Sequence, residues 1–193
     1  MELMPNERPA LLIIDMVKDN FDTESPMPLT EHAQAIIAPI NDLIAVFRSR
    51  DWPVVFSTDA FAASDFIFKG RMHPHSLAGT EGAEVIDALD RQEGDLWLPK
   101  PRFSAFFDTP LATWLKDQRV TLCAVAGIAT NFCVLTTCMD ALCHDFKAVL
   151  LSDCSAAMHR HLHDHVIASY ERNPLQPLFE VAQSKELVRA LGV

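Results

Sequence analysis

The sequence predicts an α/β fold: a doubly wound, mostly parallel six-stranded sheet with helices on both faces. Short apolar runs recur along the chain, each apolar on both sides and so suited to buried parallel strands. Segments of helical period separate those runs, which is the alternation that winds a parallel sheet. The length of 193 residues corresponds to about one domain. A chain of that size buries roughly 70% of its unfolded surface without staples. Residues 1–193 are therefore expected to form a single domain.

The elements follow in order. Residues 10–14 are a continuous apolar run closed by Asp15, and residues 30–50 then carry a helical pattern. Residues 53–58 form a second run, ending in Asp59. The long irregular segment 60–82 breaks the rhythm, and loops of that length in compact domains are usually functional or mobile. Leu96-Trp97-Leu98 reads as a short strand, and residues 109–117 as a helix. Residues 120–126 are a further strand, closed by Gly127, with a helical pattern over 131–145. Residues 148–151 are next, closed by Ser152-Asp153, before a helix over 159–172. A last strand over 178–182 precedes a C-terminal helix.

Composition narrows the function. Apolar residues make up 49% and charged residues 22%, an ordinary soluble balance. With 16 basic and 26 acidic residues the net charge is −10, the wrong sign for a phosphate-backbone binder. No apolar run reaches the ~18 residues of a membrane span. Residues 1–9 lack the basic-then-apolar pattern of a signal peptide. The five cysteines are an odd count with no CxxC pair. Together these features predict a cytoplasmic protein with reduced thiols, and neither nucleic acid nor membrane as a partner.

Ligands of open α/β sheets bind beyond the carboxyl ends of the strands. Asp15, Asp59 and the turn from Gly127 to Cys133 all fall there. In Gly127-Ile128-Ala129-Thr130-Asn131-Phe132-Cys133 a strand runs through a turn into a helix, with Thr130 or Asn131 available as N-cap. Cys133 then lies in the first helical turn. The free N–H groups and the positive end of the dipole there favour a thiolate, so a lowered pKa is expected. The same N–H groups can hold the oxyanion of a tetrahedral intermediate. Cys123, Cys138, Cys143 and Cys154 read as small packing residues. A nucleophilic thiol needs a proton acceptor and a charge-balancing partner. Asp15 is a candidate acceptor, and Lys100, stiffened between Pro99 and Pro101, a candidate cation.

These residues carry a resemblance. Asp15 at the end of the first strand, Lys100 ahead of Phe103-Ser104-Ala105-Phe106, and Gly127-Ile128-Ala129-Thr130-Asn131-Phe132-Cys133 resemble the isochorismatase-like cysteine hydrolase family over about residues 9–157. That family includes nicotinamidases, N-carbamoylsarcosine amidohydrolases and ureidoacrylate amidohydrolases. The resemblance implies a Rossmann-type three-layer fold and a catalytic triad of Asp15, Lys100 and Cys133. It also implies a cis peptide at Ile128-Ala129 and an oxyanion hole from the N–H groups of Ala129 and Cys133. The implied activity is hydrolysis of a C–N bond in a small carboxamide or ureido compound, through a thioester and with release of ammonia.

Departures from the family pattern are informative. The first site often reads Asp-x-Gln-x-Asp-Phe, whereas here Val17 replaces the Gln and Phe21 sits one residue late. Metal-binding members have Asp-x-His after the second strand; here the stretch is Asp59-Ala60-Phe61. His75 matches a later ligand position and His73 lies nearby, but Asp59 and His75 alone are too few for a tight site. No metal and no cofactor are expected. His159, His161, His163 and His165 read as a surface helix. His163 falls where relatives often have a helical histidine. Phe21, Phe61, Trp97, Phe103 and Phe106 are candidates for an apolar substrate-pocket wall. Phe61, Phe66, Ile67 and Phe68 suggest an apolar surface, and with it a homo-oligomer, either dimer or tetramer. The competing class is a non-enzymatic scaffold whose Cys133 is a redox-sensing or partner-binding thiol.

Overall fold

A computed structural model describes residues 7–22, 24 and 26–193, so most of the signal-peptide reading of residues 1–9 lies outside the described residues. Six strands form one sheet: β1 (Pro9–Ile14), β2 (Val54–Asp59), β3 (Leu96–Lys100), β4 (Leu122–Ile128), β5 (Lys147–Ala156) and β6 (Phe179–Ala182). Their order is β3-β2-β1-β4-β5-β6 and every adjacent pair is parallel. The chain order reverses between β1 and β4, the place where ligand crevices open in such sheets.

Six helices cover the sheet: α1 (Pro28–Ala35), α2 (Ile37–Ser49), α3 (Leu111–Asp117), α4 (Leu135–Cys143), α5 (Arg160–Tyr170) and α6 (Ser184–Ala190). β1 shows why the strands read as continuous apolar runs. Leu11 and Ile13 enter one core with residues of α1, α2 and α6. Ala10, Leu12 and Ile14 enter the other, with residues of α3, α4 and α5. Both faces of the strand are buried. No helix among the described residues is long and apolar enough to cross a membrane.

Three expectations shift in detail. The single helix expected over residues 30–50 is two helices, broken at Ile36. Pro39 is the reason: it has no N–H to donate to the Ala35 carbonyl, and its ring would clash there, so the helix restarts with Pro39 in its first turn. β3 runs through Pro99 to Lys100 because it is an edge strand, which tolerates a missing ladder donor. β5 continues past Ser152-Asp153 to Ala156. Pairing with β4 resumes there after a bulge, Ser155 beside Gly127 and Ala156 beside Ile128.

Segment 60–82 is pinned at intervals. Phe61 bridges to Leu77, and the Ser76 N–H donates to Asp19 Oδ2 at 2.6 Å. Of its apolar residues, Phe61 is buried and Ile67 and Phe68 are half-buried, while Phe66 is 76% exposed.

Candidate active site

Four strand ends converge on one buried cluster. Asp15 follows β1 in the left-handed region, φ 53°, which Asp tolerates better than most residues. Its N–H donates to the Ser57 carbonyl (2.9 Å), and its carbonyl accepts from Asn20 Nδ2 (3.0 Å). The carboxylate is held at both oxygens. Oδ1 accepts the Asp59 N–H at 2.7 Å and Oδ2 accepts Lys100 Nζ at 3.0 Å. Asp59 and Lys100 end β2 and β3 as direct register partners, and Lys100 Nζ also donates to Asp59 Oδ1. Cys133 Sγ completes the group: it and one oxygen each of Asp15 and Asp59 all lie within 4.8 Å of one another. Lys100 is fully buried, Asp15 and Cys133 nearly so. Lys100 is thus not a solvated loop residue, the default place of a lysine between two prolines.

The charges are tightly balanced. Burial works against the Lys100 ammonium, but Asp15, Cys133 and Asp59 outweigh it and hold the group above the ordinary lysine range. Burial, helped by the Asp15 charge, lifts the Asp59 carboxyl to about 7. Burial and the same Asp15 charge push the Cys133 thiol well above its usual value, Lys100 opposing. This corrects the expected lowered thiol pKa. Desolvation among carboxylates dominates, so Cys133 rests as a thiol beside Asp15.

The turn that presents Cys133 depends on Gly127. Its φ is +109°, and a side chain there would collide with the Ile14 backbone, so only glycine lets β4 pass that close to the end of β1. The Ile128–Ala129 peptide is cis, as the resemblance implies. Thr130–Val134 then form a π-helical turn, with the N–H groups of Phe132 (2.9 Å) and Val134 (3.3 Å) both donating to the Ala129 carbonyl. Neither Thr130 nor Asn131 is the N-cap; that position is Ala129, without a side-chain bond. The Thr130 hydroxyl instead bonds His163 Nδ1 at 2.9 Å, and His163 is buried. Of the four histidines read as a surface helix, His163 alone is buried, and it braces the turn three residues before Cys133.

The aromatic candidates separate. Phe103 is half-buried, with its ring 6.2 Å from that of Phe132, the exposed neighbour of Cys133. Phe106 lies in the core, stacked on His144 (5.2 Å) and Phe146 (6.0 Å). Phe61 is buried against the rings of Phe68 (5.5 Å) and His75 (5.6 Å). Phe21 packs on the core face of α1 and α2. Trp97 donates to Thr58 Oγ1 at 3.0 Å and lies under the Arg91 guanidinium at 4.9 Å. Of the five, Phe103 reaches the Cys133 turn through its ring contact with Phe132.

The residues of the expected metal pattern have other partners. Asp59 is bonded to Lys100, Phe61 is buried against the His75 ring, and His75 Nδ1 pairs with the His73 carbonyl at 2.9 Å, which leaves Nε2 as its other ring nitrogen. Asp15, Asp59 and Cys133 are close enough to share an ion, but the Lys100 ammonium already bonds both carboxylates. An ion there would share those carboxylates with Lys100.

A family model described as the isochorismatase domain matches residues 9–185. The chain belongs to the isochorismatase family. Among family relatives, it is 32% identical over 167 residues to an Arabidopsis thaliana protein described as a "probable inactive nicotinamidase", covering 80% of this chain and 83% of that one. It is 27% identical over 173 residues to the ureidoacrylate amidohydrolase RutB of Cronobacter sakazakii, covering 77% and 75%. An isochorismatase-like hydrolase from Alkaliphilus metalliredigens superposes with a TM-score of 0.84 at 26% identity, over 95% of this chain and 99% of that one.

Asp59 joins the cluster through its bond to Lys100, which its place at the end of a strand does not by itself show. The signal was its position, matching that of Asp15 on the next strand.

Proposed function

We propose that this family member is a cysteine-dependent amidohydrolase. It cleaves a C–N bond in a small carboxamide or ureido compound and releases ammonia. One observation carries the reading: a buried thiol lies in one cluster with a carboxylate whose other contacts are an N–H donor and an ammonium. The ureidoacrylate amidohydrolase relative supports the substrate class.

In the proposed cycle the Asp15 carboxylate takes the Cys133 proton as Sγ attacks the substrate carbonyl carbon. Lys100 and the Asp59 N–H hold both Asp15 oxygens and aim the carboxylate. The N–H groups of Ala129 and Cys133 receive the developing oxyanion, the kind of interaction worth about 3–4 kcal/mol per donor. As the C–N bond breaks, Asp15 returns its proton to the departing nitrogen, and ammonia leaves a thioester on Cys133. Water then attacks that thioester with Asp15 as base, giving the acid product and the free thiol. The charge count stays constant throughout, which suits a site shut away from water.

Burial weighs against the redox-sensor alternative. Sensor thiols are accessible and of low pKa, whereas Cys133 is 7% exposed and its pKa is raised. The test is ammonia release from a panel of nicotinamide, N-carbamoyl, ureido and maleamate-like amides. Release from none of them would sink the reading.

A further inference from the structure

A second cavity lies one strand away from the Cys133 cluster. It has a volume of about 290 Å³ and lies between α1, the end of β5 and the start of α5. His32, Ser152, Asp153, Ser155, Arg160 and His163 supply its polar lining, and Ile36 is among its apolar residues.

Two independent features point to a ligand. Ser155 is 4% exposed, and its Oγ is buried without a hydrogen-bond partner. Such a group costs stability unless something satisfies it. The second feature is an open set of donors. Arg160 brings its guanidinium to the wall beside the His32 and His163 imidazoles, and the one lining carboxylate, Asp153, is turned to the Ser184 N–H (2.7 Å) and hydroxyl (2.6 Å). Arg160 Nε donates to Asp164 at 2.8 Å, and its terminal nitrogens have no partner among the described residues. The 11-residue α5 also starts here, and its N-cap His159 makes no side-chain cap bond. The positive end of the helix dipole is thus open. Across Arg160 and His163, a neighbouring cavity of about 390 Å³ is also lined by Asp164 and Glu171 and is acidic by comparison.

We propose that the cavity between α1, β5 and α5 binds a small oxyanion, a carboxylate or a phosphate, through Ser155, Arg160 and His163. The site is separate from the Cys133 cluster but shares a brace with it. His163 Nδ1 bonds Thr130, so its Nε2 is the nitrogen left for a ligand. Five groups bear on this imidazole: Arg160 and Asp164 on α5, His32 on α1, Asp153 on β5, and Thr130 in the turn. An anion placed among them adds a countercharge that favours the protonated ring.

The experiment is a titration of the protein with sodium phosphate and, separately, sodium acetate, at ionic strength held constant with chloride. Histidine ring resonances are followed by NMR, and His163 is assigned by its loss in His163→Gln. A saturable His163 shift with either anion is the expected result. A shift with phosphate alone assigns a phosphate site, and one with acetate alone a carboxylate site. Ser155→Ala and Arg160→Gln should each weaken the apparent affinity by roughly tenfold, the usual weight of one hydrogen bond to a charged group. Arg160 has an exposed side chain, so that variant is not at risk of misfolding. Ser155→Ala removes a hydroxyl without a partner and should melt, without anion, no lower than wild type. No saturable shift with either anion, or affinities unchanged in both variants, would overturn the proposal. Amide hydrolysis is not read in this titration, so its outcome is independent of the proposed activity.

Discussion

Lys100 Nζ donates to Asp15 Oδ2 at 3.0 Å across 85 residues of sequence, and both groups are buried. The bond spans the sheet from the last residue of edge strand β3 to the residue that follows β1. It ties the orientation of the Asp15 carboxylate to the pairing of β1, β2 and β3.

Replacing that lysine should therefore act on the thiol as well as on turnover. Lys100→Gln keeps a hydrogen-bonding group but removes the countercharge, so hydrolysis should fall and iodoacetamide labelling of Cys133 should move to higher pH. Lys100→Ala leaves two buried carboxylates unpaired and should cost about 3–5 kcal/mol of stability. Unchanged turnover with an unshifted labelling profile in Lys100→Gln would remove Lys100 from the site.

Asp15→Asn deletes both the proton acceptor and the acid that protonates the leaving nitrogen. The acylation rate should drop by at least the ~100-fold typical of general acid–base catalysis. Single-turnover kinetics measures this directly, and a loss of less than tenfold would assign the proton transfer to another group.

Asp59 links folding to pH. Its carboxyl is raised from 3.8 to about 7 by burial and the Asp15 charge. The folded state thus binds a proton more tightly than the unfolded chain, and this contribution is full below pH ~4 and lost as pH rises through ~7. Asp59→Asn removes that dependence. Its stability relative to wild type should rise between pH 4 and 7, by at most about 4 kcal/mol for a shift of that size. Urea denaturation at pH 4, 5.5 and 7 checks this, and parallel curves for the two proteins would contradict it.

The strand ends were legible in the sequence because burial on both sheet faces leaves a plain signature: apolar without alternation, then one polar residue. Asp15, Asp59 and the Gly127–Cys133 turn stood out for that reason. Lys100 was harder, since a lysine between prolines looks like a loop residue until β2 and β3 are paired in register and Asp59 falls beside it. The Cys133 thiol departs from expectation because a helix start suggests a lowered pKa, while desolvation among carboxylates is a property of the assembled sheet. Phe61 and Phe106 show the same limit, as pocket wall and core wall share one residue type. Likewise, a run of four alternate histidines on a helix does not announce that His163 turns inward to Thr130.

Metal removal should leave hydrolysis unchanged. The Lys100 ammonium already bonds both Asp15 and Asp59, and the stretch Asp59-Ala60-Phe61 has no histidine two residues after Asp59. Dialysis against EDTA followed by activity assay and metal analysis tests this. Stoichiometric zinc or iron, with activity lost on its removal, would refute it.

The central claim is that Cys133 is the covalent nucleophile of an amide hydrolase. Ammonia release from the amide panel, compared between wild type and Cys133→Ala, tests it most directly. The account predicts release by wild type from at least one member of the panel and none above background by a Cys133→Ala variant with an unchanged circular dichroism spectrum. Wild-type rates of release from the alanine variant would contradict it.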